Sequence, residues 1–185
     1  MAKWKRYVVG PDKDGKSAVL IHDASNAQGD PGYFYRVTLW GASEVPVDNT
    51  ITKDRSLDIT TREPPAGGML FRALEIPPDS KDRAAHIEAI KRLHAKVKQK
   101  HPPTEEDLAR HPNMHRTDTL DCFTCVTGEL YLITDVDEVL MRPGDTVVIR
   151  GTNHAWSNRS DKPSLLVGCM IDATPPSTAS GSKAG

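Results

Sequence analysis

An all-β, antiparallel barrel of the double-sheet jelly-roll kind, with one α-helical segment inserted, is the fold class this sequence predicts. Three observations predict it. Short segments rich in aromatic and β-branched residues recur between turn residues, they become dense after Leu120, and a single long stretch changes to helical periodicity. Closing sequential antiparallel strands into two facing sheets shelters edges that a flat sheet would leave open.

The elements follow in chain order. Strands are expected at residues 6–9, 18–22, 33–40 and 69–76, where branched and aromatic residues cluster. From Asp79 to Lys100 the residues are good helix formers; Asp79 or Ser80 is placed to cap the start, and Pro102-Pro103 stops the run. Ile87, Ile90, Leu93 and Val97 fall on one side of that helix as an amphipathic stripe. His86 and His94 lie in or beside the stripe, about 12 Å apart along the axis at the usual rise, too far to share one ion. A second, short helix starts at Thr104, whose hydroxyl caps while Asp107 stands at the third helical position, and ends before His111-Pro112. The helical insert therefore spans about residues 79–110. Beyond it come strands at 120–126, 130–134, 139–141, 146–150, 154–157 and 165–171, joined by turns at Thr127-Gly128, residues 135–137 and Pro143-Gly144-Asp145. Residues 174–185, full of Pro, Ser, Gly and Ala, read as a disordered tail.

Composition narrows the functional classes. At 185 residues, 37% hydrophobic and 26% charged, the chain is long enough for one well-buried core, so a single domain over residues 1–173 is expected. A formal net charge of -1 gives no reason to expect nucleic acid or an anionic membrane as partner, which leaves small molecules. The first helix carries many lysines and arginines, but no RNA-binding signature accompanies them and they read as a solvated face. With no apolar stretch long enough for a signal peptide or a membrane span, and three cysteines, an odd number, a cytoplasmic location is expected. Cys122-Phe-Thr-Cys125 has redox-motif spacing, yet residues three apart on a strand point to opposite faces, whereas the reactive form sits at a helix N-terminus.

The chemistry concentrates in two short constellations. The first is His115-x-Thr117-x-x-x-Asp121 ahead of Gly128; the second is Gly144 followed by Gly151-Thr-Asn-His154-Ala-Trp-Ser-Asn158. In an extended segment residues of equal parity face one side, so His115, Thr117, Asp121, Phe123 and Cys125 form one set, and His154, Trp156 and Asn158 another. Two neutral imidazoles and a carboxylate are ligands that first-row divalent metals accept, and two histidines with one acid and open positions is the pattern of non-haem Fe(II) sites. Zn, Mn or Ni fits the same donors. Thr117, Phe123, Cys125 and Trp156 are candidates for the substrate pocket. Arg72 or Arg150 is placed to anchor a carboxylate, or to serve as a surface cation.

These residues resemble the cupin superfamily, whose first motif carries Gly, His-x-His, an acid and a closing Gly, and whose second carries Gly, Pro-x-Gly, His and Asn. His115 falls on the first His, Thr117 on the second, Asp121 on the acid and Gly128 on the closing Gly, with both spacings kept. Gly144, Gly151, His154 and Asn158 match the second motif with one residue fewer, because Arg150 directly precedes Gly151. The segment 114–172 is the barrel core of this resemblance, and it is similar to a subgroup of single-domain cupins, some of whose fungal members are called cupin-domain oxidoreductases. The resemblance implies a metal-dependent oxidoreductase or dioxygenase acting on a small, aromatic or polyketide-like substrate, with His115, Asp121 and His154 holding a divalent metal, Fe(II) foremost. It also leaves open a redox-neutral lyase, decarboxylase or isomerase, and a non-catalytic small-molecule binder. A homodimer is implied, and Trp40 with Tyr33 to Tyr35 fits such an interface or plain core. The chain departs from the family at Thr117, a poor ligand beside imidazole, and at Asp121, shorter than the usual Glu.

Overall fold

A computed structural model of the chain describes residues 5–24, 26–30, 34–56, 58–59, 61–96 and 99–177. Its elements are β1 (Lys5–Pro11), β2 (Ser17–Ala24), β3 (Asn26–Asp30), β4 (Phe34–Ala42), β5 (Met69–Ile76), α1 (Arg83–Lys96), α2 (Glu105–Arg110), β6 (Thr119–Thr127), β7 (Leu130–Ile133), β8 (Glu138–Met141), β9 (Thr146–Arg150), β10 (Ala155–Ser157) and β11 (Ser164–Asp172). A six-stranded antiparallel sheet in the order β3-β4-β5-β11-β6-β9 packs against a three-stranded sheet, β10-β7-β8, and β1 and β2 form a separate hairpin. The protein is thus a double-stranded β-helix barrel, as expected, with the two helices inserted between β5 and β6. Among the described residues no helix is long and apolar enough to cross a membrane.

The sheets form because period-two patterns meet across the barrel. β6 alternates buried and half-buried side chains from Thr119 to Cys125, so Asp121, Phe123 and Cys125 all turn inward. The core joins Leu70, Phe123, Leu166 and Met170 of the large sheet to Leu130, Met141 and Trp156 of the small one. Leu70, Leu130 and Leu166 are fully buried, each contributing about 1.5–3 kcal/mol relative to exposure. Gly168 lets β11 approach β6: a Cβ there would stand 1.9 Å from the Cys122 carbonyl oxygen. Gly128 turns β6 into β7 at φ 75°, which a side chain would resist.

The helices match the expectation with two corrections, at the start of α1 and at its end: α1 closes at Lys96 rather than running to Lys100, and the Gln99 amide turns back to the His94 carbonyl at 2.9 Å. α1 starts at Arg83, and its cap is Asp82, whose Oδ1 accepts from the Ala85 amide at 3.0 Å. Asp79 is unavailable as a cap because its carboxylate accepts from the Ser157 hydroxyl at 2.5 Å and the Asn158 amide at 3.1 Å, tying the start of the insert to β10. Ser80 meets Asp82 instead. α2 begins at Thr104 with the reciprocal capping box to Asp107 that the sequence predicts. Of the predicted stripe, Ile90 is buried and Ile87 and Leu93 half-buried; Val97 lies outside the described residues, as do Tyr33 and residues 178–185 of the expected tail.

Candidate functional site

The barrel holds a half-open cavity of about 90 Å³. β5 supplies Arg72, Leu74 and Ile76 from its inward parity, β6 supplies Asp121 and Phe123, β10 supplies Trp156, and α1 lays Ile90, Leu93 and His94 across the opening. Arg36 comes from β4, while Arg62, Asn113, His115 and His154 come from segments outside the strands.

His115 and His154 are brought together by an isolated antiparallel bridge, each amide donating to the other's carbonyl at 2.9 and 3.0 Å. Their rings lie 4.4 Å apart between centroids, tilted by 52°. His115 Nδ1 meets the Asn113 carbonyl at 2.8 Å, and His154 Nδ1 meets the Thr152 carbonyl at 3.0 Å. A carbonyl only accepts, so both rings carry their proton on Nδ1 and keep the Nε2 lone pair. Burial holds both imidazoles neutral: His115 lies well below its ordinary value and His154 is pushed down to about 4, with the Arg62 charge adding to each shift. Trp156 stands edge-on to His154 at 5.8 Å and to Phe123 at 6.4 Å, forming an aromatic wall.

Asp121 shares the cavity, but among the described residues no three His, Cys, Asp or Glu side chains converge as a metal-holding group. Burial raises the Asp121 carboxyl to about 6, against a lowering by its hydrogen bond with Thr119 and by the Arg72 charge. Its Oδ1 is buried without a hydrogen-bond partner. The two imidazoles fit a first-row divalent ion, each oriented through Nδ1 by a backbone carbonyl as ligating histidines usually are. Asp121 adds an uncommitted carboxylate oxygen in the same cavity.

The remaining sequence candidates divide. Phe123 and Trp156 line the cavity as expected, whereas Thr117 and Cys125, though buried, do not. Thr117 is taken up by Thr119, with 2.6 Å between the hydroxyls, so Thr117, Thr119 and Asp121 form a hydrogen-bonded row on one face. Cys125 sits near the far end of β6, where its thiol reaches toward the carbonyls of Thr127 and Gly128. Arg72 points inward and Arg150 is exposed, which decides between the two arginines. Asn158 is structural: its amide donates to the Ile76 and Lys162 carbonyls and holds the turn before β11. Cys122, Cys125 and Cys169 are free thiols.

Sequence reasoning missed Arg36, Arg62 and His94. His94 had a signal, being beside the apolar stripe of a capping helix. Arg62, in the irregular stretch before Pro64-Pro65, had none. Burial, followed by the charge of neighbouring Arg36, lowers Arg62 to about 10 and Arg72 to about 9, so both remain cations at neutral pH. His94 is lowered to about 4, chiefly by burial.

No family model matches the chain. A stretch of 48 residues, 25% of this chain and 25% of the other protein, is 46% identical to phomopsin biosynthesis cluster protein D of Diaporthe leptostromiformis. A stretch of 65 residues, 34% of this chain and 33% of the other, is 37% identical to a cupin-domain-containing oxidoreductase of Neurospora crassa. The similarity thus spans 25% of the first relative's length and 33% of the second's. Solved structures similar to the chain are cupin-domain structures; the cupin domain of Schizosaccharomyces pombe Cnp3 is 10% identical over 92% of this chain and 89% of that one, with a TM-score of 0.46.

Proposed function

We propose that the chain is a cupin enzyme acting on a small organic molecule in the barrel cavity, with His115 and His154 as nitrogen ligands of a divalent metal and Asp121 as the acid available to it. One observation carries this reading: two adjacent neutral imidazoles, each fixed through Nδ1 by a backbone carbonyl, leave their Nε2 lone pairs uncommitted. Such an arrangement costs burial of two polar rings and makes chemical sense as a ligand pair.

When bound, the metal supplies Lewis acidity toward a substrate oxygen and, as Fe(II), one-electron chemistry. The chain's own residues do the rest. Thr117 and Thr119 hold Asp121 in the row that ends at the cavity. Phe123 and Trp156 give the substrate an apolar wall, and Ile90 and Leu93 of α1 screen it from water. The relatives' names, an oxidoreductase and a biosynthesis cluster protein, favour an oxidoreductase of small-molecule biosynthesis over redox-neutral chemistry.

Metal analysis of untagged protein, followed by anaerobic titration with Fe(II), Mn(II) and Zn(II), tests the reading. Uptake of one ion per chain, lost in His115→Ala and weakened in Asp121→Ala, is expected. A wild type that holds no metal and takes up none of the three sinks it. Oxygen consumption on screening small organic compounds against the Fe(II)-loaded protein then separates oxidoreductase from lyase or isomerase.

A further inference from the structure

Arg62 and Arg72 bring two buried cations to the cavity, and each leaves one guanidinium nitrogen without a hydrogen-bond partner. Arg72 donates through Nη1 and Nη2 to the carbonyls of Arg62 and Thr61, both neutral acceptors. In doing so it pins residues 61 and 62 over the cavity and positions Arg62. Arg62 Nη1 and Arg72 Nε are buried without a hydrogen-bond partner. So is Asp121 Oδ1, which shares the cavity with both arginines yet bonds neither of these nitrogens. Buried guanidinium nitrogens left unpaired cost stability and are seldom kept without reason. A purely structural position would be served better by an apolar side chain.

We infer that the cavity binds a small organic carboxylate with an apolar body, its carboxylate on Arg62 and Arg72 and its body against Leu74, Ile90, Leu93 and Phe123. The inference rests on the reading of this cavity as the substrate site and names the substrate class. The class follows from three properties of the walls. Arg62 Nη1 and Arg72 Nε each leave a cationic donor free, two charge-assisted donors for the two oxygens of a carboxylate. Asp121 in the same space repels a multiply charged anion such as phosphate. Aliphatic and aromatic lining takes up the remainder of the molecule.

The test is calorimetric titration and thermal melting of the full chain with 3-phenylpropionate and hexanoate, their amides, and inorganic phosphate, on chelator-stripped and Zn(II)-loaded protein. The acids are expected to bind at least about tenfold more tightly than the amides, with phosphate unable to displace them. Arg62→Met is expected to lose the preference for acid over amide and, without ligand, to melt higher than wild type, because an unpaired buried charge is gone. Arg142→Met, at an exposed arginine beyond β8, should change neither. Amides that bind as tightly as acids, displacement by phosphate, a preference that survives in Arg62→Met, or a lower melting temperature for that variant overturns the inference. The two readings fail separately: stripped protein that prefers acids but takes up no metal spares this one, whereas metal uptake without acid preference spares only the other.

Discussion

The barrel cavity and the groove beside the β1–β2 hairpin make an instructive pair. The groove is the larger, about 290 Å³ against about 90 Å³, and it is walled by Val8, Val9, Leu20, Trp40, Val47 and Ile51. Among the described residues, none of the buried unpartnered polar atoms lies on the groove, whereas the cavity gathers four: Arg62 Nη1, Arg72 Nε, His94 Nδ1 and Asp121 Oδ1. Volume alone would choose the groove. Unmet hydrogen-bonding capacity, which costs free energy unless a ligand repays it, marks the cavity.

The contrast can be broken most sharply at the imidazoles. His154→Ala is expected to weaken metal uptake by more than the roughly 10–100-fold that loss of a supporting partner costs, while Val9→Ala in the groove leaves uptake unchanged; titration of both variants with Zn(II) checks this. Equal losses would erase the distinction between the two regions.

Packing should differ in the same direction. Leu166→Ala, at a fully buried side chain of the barrel core, is expected to cost about 2–5 kcal/mol in urea unfolding. Leu20→Ala, at a side chain 45% exposed beside the groove, should stay within about 0.5 kcal/mol. A large cost at Leu20 would make the groove part of the core.

The hairpin is joined to the barrel by Arg6, whose Nη1 donates to the Leu39 carbonyl and the Ser56 hydroxyl, both at 3.0 Å, and whose Nη2 pairs with Asp54. Arg6→Ala is expected to lower stability by about 1–3 kcal/mol with metal uptake intact. Loss of both together would show that the hairpin supports the site.

The smallest effect concerns pH. Asp118 is buried; burial raises its carboxyl, but hydrogen bonds from Lys100 and His101 outweigh this and hold it below the ordinary carboxylate range. A depressed carboxyl contributes stability that is present above its unfolded pKa and lost as pH falls through its folded one. Urea midpoints of wild type and Asp118→Asn should therefore differ at pH 7 and converge below about pH 4. A gap that widens in acid would reverse the sign and refute the assignment.

Much of the fold was legible because it rests on local physics. The Thr104–Asp107 capping box, the hairpin turn at Gly128 and the inward parity of Asp121, Phe123 and Cys125 are set by neighbours a few residues away. The cap of α1 was misplaced for the opposite reason. Asp79 has the right chemistry for a cap, but it is spent on Ser157 and Asn158, nearly eighty residues downstream. Thr117 has the parity of a pocket residue, yet its hydroxyl is satisfied by Thr119.

The sequence by itself determined which face each candidate occupies, since strand parity follows from backbone geometry, and it singled out His115, Asp121 and His154 by type and spacing. Only the tertiary structure decided what stands opposite. The bridge that sets His115 against His154 joins residues 39 positions apart, and Arg36, Arg62 and His94 reach the same cavity from a strand, an irregular segment and a helix. Parity restricts a side chain to one side of a sheet; which charges share a cavity depends on long-range packing, where burial strengthens every unpaired group and no local pattern records it.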